Sequence, residues 1–368
     1  MHIERFELRY IQLPLKHHFE TSFGRSFRRD TIVVRAWADG VEGWGESPVE
    51  DGPWYSPETV ETAWHVQRYF LIPMLLGQEI ETAAQVFDYL APVRGHRMAK
   101  TGLEEALWDV EARQKGASVA QLLGGVRERI ESGVSIGIQD TLEELLGRVT
   151  GFVERGYRRI KIKIKPGWDV EAVRAVRRAF PEMPLMVDAN SAYRLSDADH
   201  LAALDEFGLM MIEQPLAYDD IYEHSLLQRR LCTPLCLDES IHTPAHALAA
   251  LELGSCRIIN IKPARVGGLA QARRIHDLCL ERDVPVWCGG LLEVGIGRAH
   301  NVAIASLPGY TLPGDVSASD RYFERDVIAP PFALNPDGTI TVPTGPGVGV
   351  EVDLDFLEHV TVRRENLW

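Results

Sequence analysis

Residues 158–263 contain the five segments that decide the fold: RRIKIKI (158–164), LMVDAN (185–190), MMIEQP (210–215), PLCLDES (234–240) and RIINIKP (257–263). Each segment has the length and composition of a buried β-strand, and each is followed by an amphipathic stretch of helical length. This alternation predicts consecutive βα units that form a parallel sheet.

Four of these segments end in a side chain that can do chemistry, namely Asp188, Glu213, Asp238 and Lys262. These residues are 25, 25 and 24 positions apart, about one strand and helix repeat each. We therefore expect them at the same level of successive strands. That layout is typical of a (β/α) barrel, whose functional groups lie at the C-terminal ends of the strands.

The first part of the chain has a different pattern. Two stretches alternate apolar and polar positions like strands, 2–14 and 31–49, and Asp39-Gly40 marks a hairpin turn in the second. We interpret residues 17–27 between them as a loop. Helical patterns follow at 56–76, 81–92 and 98–115. This part of the chain is predicted to be an α+β domain.

From residue 129 the patterns alternate strictly through eight strands and seven helices, and the last short strand is YTLPG at 310–314. The predicted fold class is α/β, a (β/α)7β TIM-like barrel with an α+β capping domain. We predict the capping domain at 1–125, the barrel at 126–320 and, at 321–368, a C-terminal tail that returns to the capping domain.

Composition excludes several classes of protein. The net charge of -14 argues against nucleic acid or an anionic membrane as a partner, because both attract clustered Lys and Arg. The five cysteines form no CxxC pair, and we interpret them as buried thiols in a reducing compartment. The N-terminus has no secretory signal pattern, and no apolar run reaches the roughly 18 residues of a membrane span. We therefore expect a cytoplasmic protein.

Asp188, Glu213 and Asp238 bring three carboxylates to one rim of the predicted barrel. A single acid at a strand end is more often a helix cap or a solvated residue, but three at matched spacing favour a shared role. Unpaired carboxylates this close would repel one another, and hard oxygen ligands suit Mg²⁺. The pattern predicts a magnesium site.

Lys161, Lys163 and Lys165 share one face of a strand, opposite Ile162 and Ile164. Isoleucines that pack under the barrel helices place the lysines inside, where an amine needs acidic partners or a function. Burial, a second ammonium group and a metal ion all lower a lysine pKa.

Lys262 approaches the same space from the opposite side of the barrel. Two amines that flank a carboxylate held by a metal ion suit removal or return of an α-proton. We expect Glu239, directly after Asp238, to point elsewhere and bond a lysine, and Asn190 to have a similar supporting role. Helix capping is the alternative for both residues.

At these residues the sequence resembles the enolase superfamily, in its muconate-lactonizing-enzyme subgroup. The motifs are KIK (161–163), VDAN (187–190), IEQP (212–215), LDES (237–240) and NIKPARVGG (260–268). The resemblance implies that Lys163 is a general acid/base and Lys262 the opposing lysine. It implies that Lys161 tunes Lys163 and contacts the substrate carboxylate. The implied ligands of Mg²⁺, with Mn²⁺ as an alternative, are Asp188, Glu213 and Asp238.

Within the subgroup, the segments 159–169, 287–301 and 312–323 are similar to the o-succinylbenzoate synthase and N-succinylamino acid racemase enzymes. This implies that residues 19–24, with Phe19, close over the substrate. It also implies that a succinyl arm is bound by Ser135 and a loop that includes Gly290 and Ile296. Dipeptide epimerases of the family have Asp-x-Asp near the eighth strand. Here Asp315 is followed by Val316 and Ser317, which argues against that activity.

The resemblance therefore implies a small carboxylate substrate, a homo-oligomer and two activities. The first is dehydration of 2-succinyl-6-hydroxy-2,4-cyclohexadiene-1-carboxylate to o-succinylbenzoate, which would serve menaquinone biosynthesis. The alternative, as main or second activity, is racemisation of N-succinylamino acids. A third hypothesis is a non-catalytic barrel that binds phosphate at Gly289-Gly290 and the helix near Gly295. It leaves the three acids and the lysines unexplained.

Overall fold

The computed structural model describes residues 1–368. The chain begins with three antiparallel strands, which form a four-stranded sheet with the last strand of the chain. In this sheet the last strand pairs with the first, the first with the second and the second with the third. The strands are β1 Ile3–Thr21, β2 Gly24–Ala38 and β3 Val41–Ser47. The helices that follow are α1 Val60–Val66, α2 Ile72–Leu75, α3 Val86–Tyr89, α4 Arg97–Gln114 and α5 Val119–Leu123, with a π-helical turn at Gln67–Leu71 and a 3₁₀ turn at Ala83–Gln85.

The hairpin between β1 and β2 reaches further than the sequence indicated. The predicted loop at 17–27 is wrong, because Phe19 pairs with Ser26, Glu20 with Arg25 and Thr21 with Gly24. Glu20 and Arg25 also form an ion pair across the strands, which stabilises the pairing. The predicted turn at Asp39-Gly40 is confirmed, and both residues have the positive φ angles, 50° and 73°, of a tight hairpin turn.

The barrel consists of seven parallel strands in sequential order. A short strand, β4 Arg129–Glu131, precedes them. The seven are β5 Gly133–Ile136, β6 Arg159–Lys163, β7 Leu185–Asp188, β8 Ile212–Glu213, β9 Leu235–Leu237, β10 Ile258–Ile261 and β11 Val286–Cys288. The predicted fold class is confirmed.

Helices cover the outside of the barrel, since each βα unit returns over its face. They are α6 Leu142–Glu154, α7 Val170–Ala179, α8 Ala198–Ala202, α9 Tyr222–Gln228, α10 Pro244–Leu253, α11 Pro263–Val266, α12 Leu269–Leu280 and α13 Gly295–Ala305. The predicted helix at 196–207 is broken, and 3₁₀ turns at Leu195–Asp197 and Ala203–Phe207 flank α8.

The predicted eighth strand at 310–314 is wrong. The segment makes only single bridges, from Tyr310 to Val286 and from Gly314 to Ser132. Pro313 lacks the amide hydrogen that a ladder needs, so the pairing cannot continue through it. The segment still closes the barrel, because the amide of Asp315 donates to Cys288 O at 2.8 Å on one side and that of Gly133 donates to Gly314 O at 2.7 Å on the other.

The tail, after a 3₁₀ turn at Ser319–Arg321, contacts both parts of the chain. It contains β12 Ile328–Ala329, β13 Thr339–Thr341, β14 Glu351–Val352, α14 Leu354–Val360 and β15 Thr361–Leu367. β13 pairs with β4 at the start of the barrel, whereas β15 pairs with β1 of the capping sheet. The domain boundaries at residues 125 and 320 stay predictions.

The apolar core has two parts. The large cluster of 97 buried residues runs through the capping domain and between the barrel strands and helices. A cluster of five, Met186, Met211, Cys236, Ile258 and Trp287, is separate from it and lies on four of the barrel strands and just before a fifth. No helix of the structure is long and apolar enough to cross a membrane. Four of the cysteines are buried as expected, but Cys232 is exposed.

Candidate active site

The strand ends bring the predicted acids together at one rim. Asp188 ends β7 and Glu213 ends β8, and the two are register partners in the parallel sheet. Asp238 lies one residue beyond β9, and all three carboxylates are fully or almost fully buried. Spacing along the sequence was sufficient to find them, because parallel strands in register end at the same edge.

Two lysines of β6 point into this rim. Lys163 Nζ lies 2.6 Å from Asp188 Oδ2 and donates to Asn190 Oδ1 at 2.7 Å. Lys161 Nζ lies 3.1 Å from Asp188 Oδ2 and 2.9 Å from Glu213 Oε2. Lys165 does not join them, since its side chain is 40% exposed and pairs with Glu20 of the β1–β2 hairpin at 3.2 Å.

Lys262 follows β10 and faces the same pocket from the other side. Its Nζ lies 2.7 Å from Asp238 Oδ2 and donates to the hydroxyl of Tyr55 at 3.1 Å. Tyr55 comes from the capping domain, and its hydroxyl donates to Asp238 Oδ1 at 3.0 Å. Room for Lys262 is provided by Gly289, where a Cβ atom would lie 2.7 Å from Lys262 Cε.

The two lysines differ in charge preference. Burial and the nearby Lys161 lower the pKa of Lys163, although Asp188 favours its charged form. Burial acts in the same direction on Lys262, but Tyr55 and the carboxyl groups of Glu239, Glu213 and Asp188 outweigh it and raise the pKa of Lys262. The pKa values of the two amines of one pocket are thus shifted in opposite directions.

Several supporting residues were not predicted. Arg265 is buried and donates to Asp238 and to the carbonyl of Ile241. Asn260 Nδ2 donates to Glu213 Oε1 at 2.7 Å, and Gln214 Oε1 accepts from the amide of Asp238 at 3.0 Å. All three lie within the quoted motifs, so the sequence did contain a signal that could have identified them. The sequence contained no such signal for Tyr55, because only the packing of the capping domain brings it here.

The predicted bond from Glu239 to a lysine is wrong. Glu239 Oε1 instead accepts from Asn190 Nδ2 at 2.8 Å, and Asn190 in turn accepts from Lys163. Burial and the nearby Asp188 raise the pKa of Glu239 to about 7. Asn190 therefore links Lys163 to Glu239, and the contact of Glu239 with the lysine is indirect.

The carboxylates have the chemistry of a divalent-metal site. Asp188, Glu213 and Asp238 supply hard oxygen donors from adjacent strands, which fits Mg²⁺. In this arrangement no three acidic, histidine or cysteine side chains converge closely enough to hold one ion, because the ammonium groups lie among the carboxylates. Lys163 and Lys161 outweigh burial and lower the pKa of Asp188, whereas burial and Asp188 raise the pKa of Glu213.

The pocket between the lysines has walls from both domains. Its lining includes Phe19 of the hairpin, Ser135 of β5, Gly290 and the three lysines Lys161, Lys163 and Lys262. Ile296 is not among the lining residues, and it packs in the large core cluster. Its predicted place in the wall is wrong because the side chain of this second residue of α13 turns into the core.

Protein carboxylates already cap α13, where the phosphate hypothesis placed its ligand. The amides of Val294 and Gly297 donate to the two oxygens of Glu46, at 3.3 and 3.1 Å. The amide of Gly295 donates to Asp326 Oδ1 at 2.7 Å. Two acids occupy the position that an anion needs, so the geometry argues against a phosphate site.

A capped barrel with buried acids at its strand ends and a lysine on each side of one pocket defines a class of enzyme that moves a proton on the carbon next to a carboxylate. Comparison with known families agrees. Residues 6–124 match the family described as "Mandelate racemase / muconate lactonizing enzyme, N-terminal domain", and residues 144–356 match "Enolase C-terminal domain-like". The chain belongs to this enzyme family of the enolase superfamily, as the motifs predicted.

Relatives cover nearly the whole chain. An o-succinylbenzoate synthase of Geobacillus kaustophilus is 54% identical over 98% of this chain and 96% of its own length. An N-succinylamino acid racemase of an Amycolatopsis species is 52% identical over 99% of both chains. A solved enolase-superfamily structure from Listeria innocua has a TM-score of 0.96 at 40% identity and covers 100% of this chain and 99% of its own.

Proposed function

We propose that this chain is an o-succinylbenzoate synthase that also racemises N-succinylamino acids. Relatives with both names are about equally similar to it, at 54% and 52% identity. The observation that carries the ranking is the contrast between Lys163 and Lys262. One base with a lowered pKa and one ammonium with a raised pKa suit an elimination that begins on a single face of the substrate.

In the proposed dehydration, the neutral amine of Lys163 takes the proton from the carbon next to the substrate carboxylate. Lys262 stays protonated, and its ammonium group stabilises the negative charge of the enediolate. Lys163 then returns its proton to the departing hydroxyl group. The C–O bond breaks, water leaves and the ring becomes aromatic. Lys161 is proposed to contact the substrate carboxylate, and Phe19, Ser135 and Gly290 to enclose the succinyl arm.

Asp188, Glu213 and Asp238 are proposed to hold Mg²⁺, or Mn²⁺ in its place. A bound divalent cation supplies positive charge for a developing enediolate and favours the neutral form of nearby lysines. The oxygens that bind it must turn from the ammonium groups they now contact. Asn190 is proposed to keep Lys163 in place during that change, since it accepts from Lys163 and is itself fixed by Glu239.

In the proposed racemisation both lysines exchange a proton with the α-carbon, each on one face. Lys262 must then also act as a base, which its raised pKa disfavours. The same site therefore supports both reactions, with racemisation as the slower one. The cytoplasmic location and the homo-oligomeric state remain predictions from sequence.

The test is NMR in D₂O with Mg²⁺ present. The enzyme is incubated with the cyclohexadiene substrate and, separately, with N-succinyl-L-phenylalanine. We expect fast formation of o-succinylbenzoate together with slower deuterium incorporation and appearance of the D-isomer. Racemisation faster than dehydration would reverse the ranking, and inactivity towards both compounds would overturn the proposed function.

A further inference from the structure

Asp315 lies just after the segment that closes the barrel, and two cations of β6 share its carboxylate. Arg159 Nη1 donates to Oδ1 at 2.8 Å, and Lys161 Nζ lies 2.8 Å from Oδ2. Ser135 Oγ donates to Oδ2 at 3.0 Å. Arg159, Lys161 and Asp315 are 1%, 2% and 8% exposed. Because these three charged groups are almost completely buried, loss of one of them leaves a buried charge without its partner.

Asp315 is the acidic partner of Lys161 outside the proposed metal ligands. The other two partners, Asp188 and Glu213, have oxygens that a divalent ion would draw away from an ammonium group. Arg159 holds the second oxygen of Asp315, so this carboxylate is kept facing Lys161. Both oxygens of Asp315 are thus occupied, although the residue lines the pocket.

We propose that Asp315 is a positioning residue that holds the ammonium group of Lys161 at the pocket wall, aimed at the substrate carboxylate, with or without a divalent ion. The inference rests on the proposed function, in which Lys161 contacts that carboxylate. Through Asp315, the segment that closes the barrel in place of an eighth strand has a role in catalysis. The backbone of Asp315 is fixed to Cys288 on β11, whereas its side chain is fixed to β6.

A double-mutant cycle tests this with Asp315→Asn, Lys161→Met and both changes together. We expect Asp315→Asn to lower kcat/KM by about 10- to 100-fold, the loss of one charge-assisted hydrogen bond. Because Asp315 acts through Lys161, the double variant is expected to be no worse than Lys161→Met alone. Asp315→Glu keeps the charge and is expected to recover part of the loss. Additive losses, or wild-type kcat/KM in Asp315→Asn, would overturn the proposal.

Thermal unfolding of the same metal-free proteins gives a readout that needs no substrate. We expect the fall in Tm of the double variant to be smaller than the sum of the single falls, since it removes both members of the ion pair. Additive falls in Tm would overturn the pairing of Asp315 with Lys161. This result can be read even if the wild-type enzyme is inactive and the proposed function has already been overturned. The matched control is Asp30→Asn, a buried aspartate that also accepts from an arginine and a hydroxyl group but forms no ion pair with Lys161. It is expected to lower Tm and leave kcat/KM unchanged.

Discussion

The two sides of the pocket hold the same side chain in different electrostatic surroundings. On the β6 side, Lys163 has one carboxylate partner and lies beside Lys161, and its pKa is lowered. On the β10 side, Lys262 contacts Asp238 and Tyr55, and its pKa is raised. Both lysines are almost completely buried, at 6% and 5% exposure, so burial alone does not explain the difference.

What differs is the balance of charge around each amine. A second ammonium group disfavours the charged form of Lys163, whereas surrounding oxygen atoms favour the charged form of Lys262. A lowered pKa makes an amine more readily available as a base, and a raised pKa keeps an ammonium group available to stabilise an anion. The contrast therefore favours a reaction that starts on the Lys163 side.

The largest expected effect comes from removal of the proposed base, Lys163. Lys163→Ala is expected to lower dehydration and α-proton exchange by about 10⁴-fold, the upper range for a general base. The measurement is turnover together with deuterium incorporation by NMR. The control is Lys165→Ala, two residues beyond the end of β6. Its side chain pairs with Glu20 of the hairpin, so this change is expected to leave kcat nearly unchanged. Proton exchange that survives in Lys163→Ala would contradict the assignment.

Removal of the acid beside the other lysine has the next largest effect. Asp238→Asn takes a carboxylate from Lys262 and from Arg265 and a ligand from the proposed metal site. We expect turnover with Mg²⁺ to fall by about 10²-fold or more, with weaker Mg²⁺ binding by calorimetry. A variant with a lower Tm but intact turnover and Mg²⁺ affinity would show that Asp238 is only structural.

The pH dependence reports both sides at once. Because the base must be neutral, kcat is expected to rise with pH towards the lowered pKa of Lys163, by about tenfold per pH unit well below it. Because Lys262 must stay charged and its pKa is raised, no fall is expected before its pKa is passed at higher pH. A kcat profile with saturating Mg²⁺ measures this. A fall between about pH 7 and 9, below the ordinary lysine pKa, would contradict the charge assignment of Lys262.

A smaller effect is expected from a change that alters only the surroundings of Lys262. Tyr55→Phe removes a hydroxyl group that accepts from Lys262 and donates to Asp238. Because Tyr55 is one of the groups that raise the pKa of Lys262, we expect that pKa to fall and proton abstraction by Lys262 to become about 5- to 10-fold faster, as for one hydrogen bond, with little change on the Lys163 face. Exchange rates of the two enantiomers of an N-succinylamino acid measure each face. Tyr222→Phe, at an exposed position, is the control, and equal changes on both faces or slower exchange on the Lys262 face would refute the prediction.

The smallest expected effect concerns the hairpin above the pocket. A Cβ atom at Gly137 would lie 2.8 Å from the backbone N and O of Glu20, so Gly137→Ala should push the hairpin and Phe19 outwards. We expect KM to rise by about threefold, with kcat almost constant. Gly147→Ala is the control, because a Cβ atom there has nothing within 4 Å. An unchanged KM in Gly137→Ala would show that the hairpin tip does not contribute to binding.

The sequence was sufficient for the parts of the site that depend on strand periodicity. Asp188, Glu213 and the inward lysines followed from a repeat length and from the two faces of a strand. Tyr55 did not, because its contacts with Asp238 and Lys262 join residues 183 and 207 positions apart. The place of Ile296 depends on the direction of one side chain at a helix start. The eighth strand failed because pattern alone does not weigh the missing amide of Pro313.

The pairing of β15 with β1 has a consequence for the order of folding. Arg9 and Thr361, whose side chains are hydrogen-bonded, are 352 positions apart, so the capping sheet gains its edge strand only after the barrel has been synthesised. Contacts this distant in sequence form slowly, and a nascent chain tends to fold from its N-terminal parts first. We expect the incomplete capping sheet of a nascent chain to have an unpaired strand edge near the ribosome, where a chaperone can bind it.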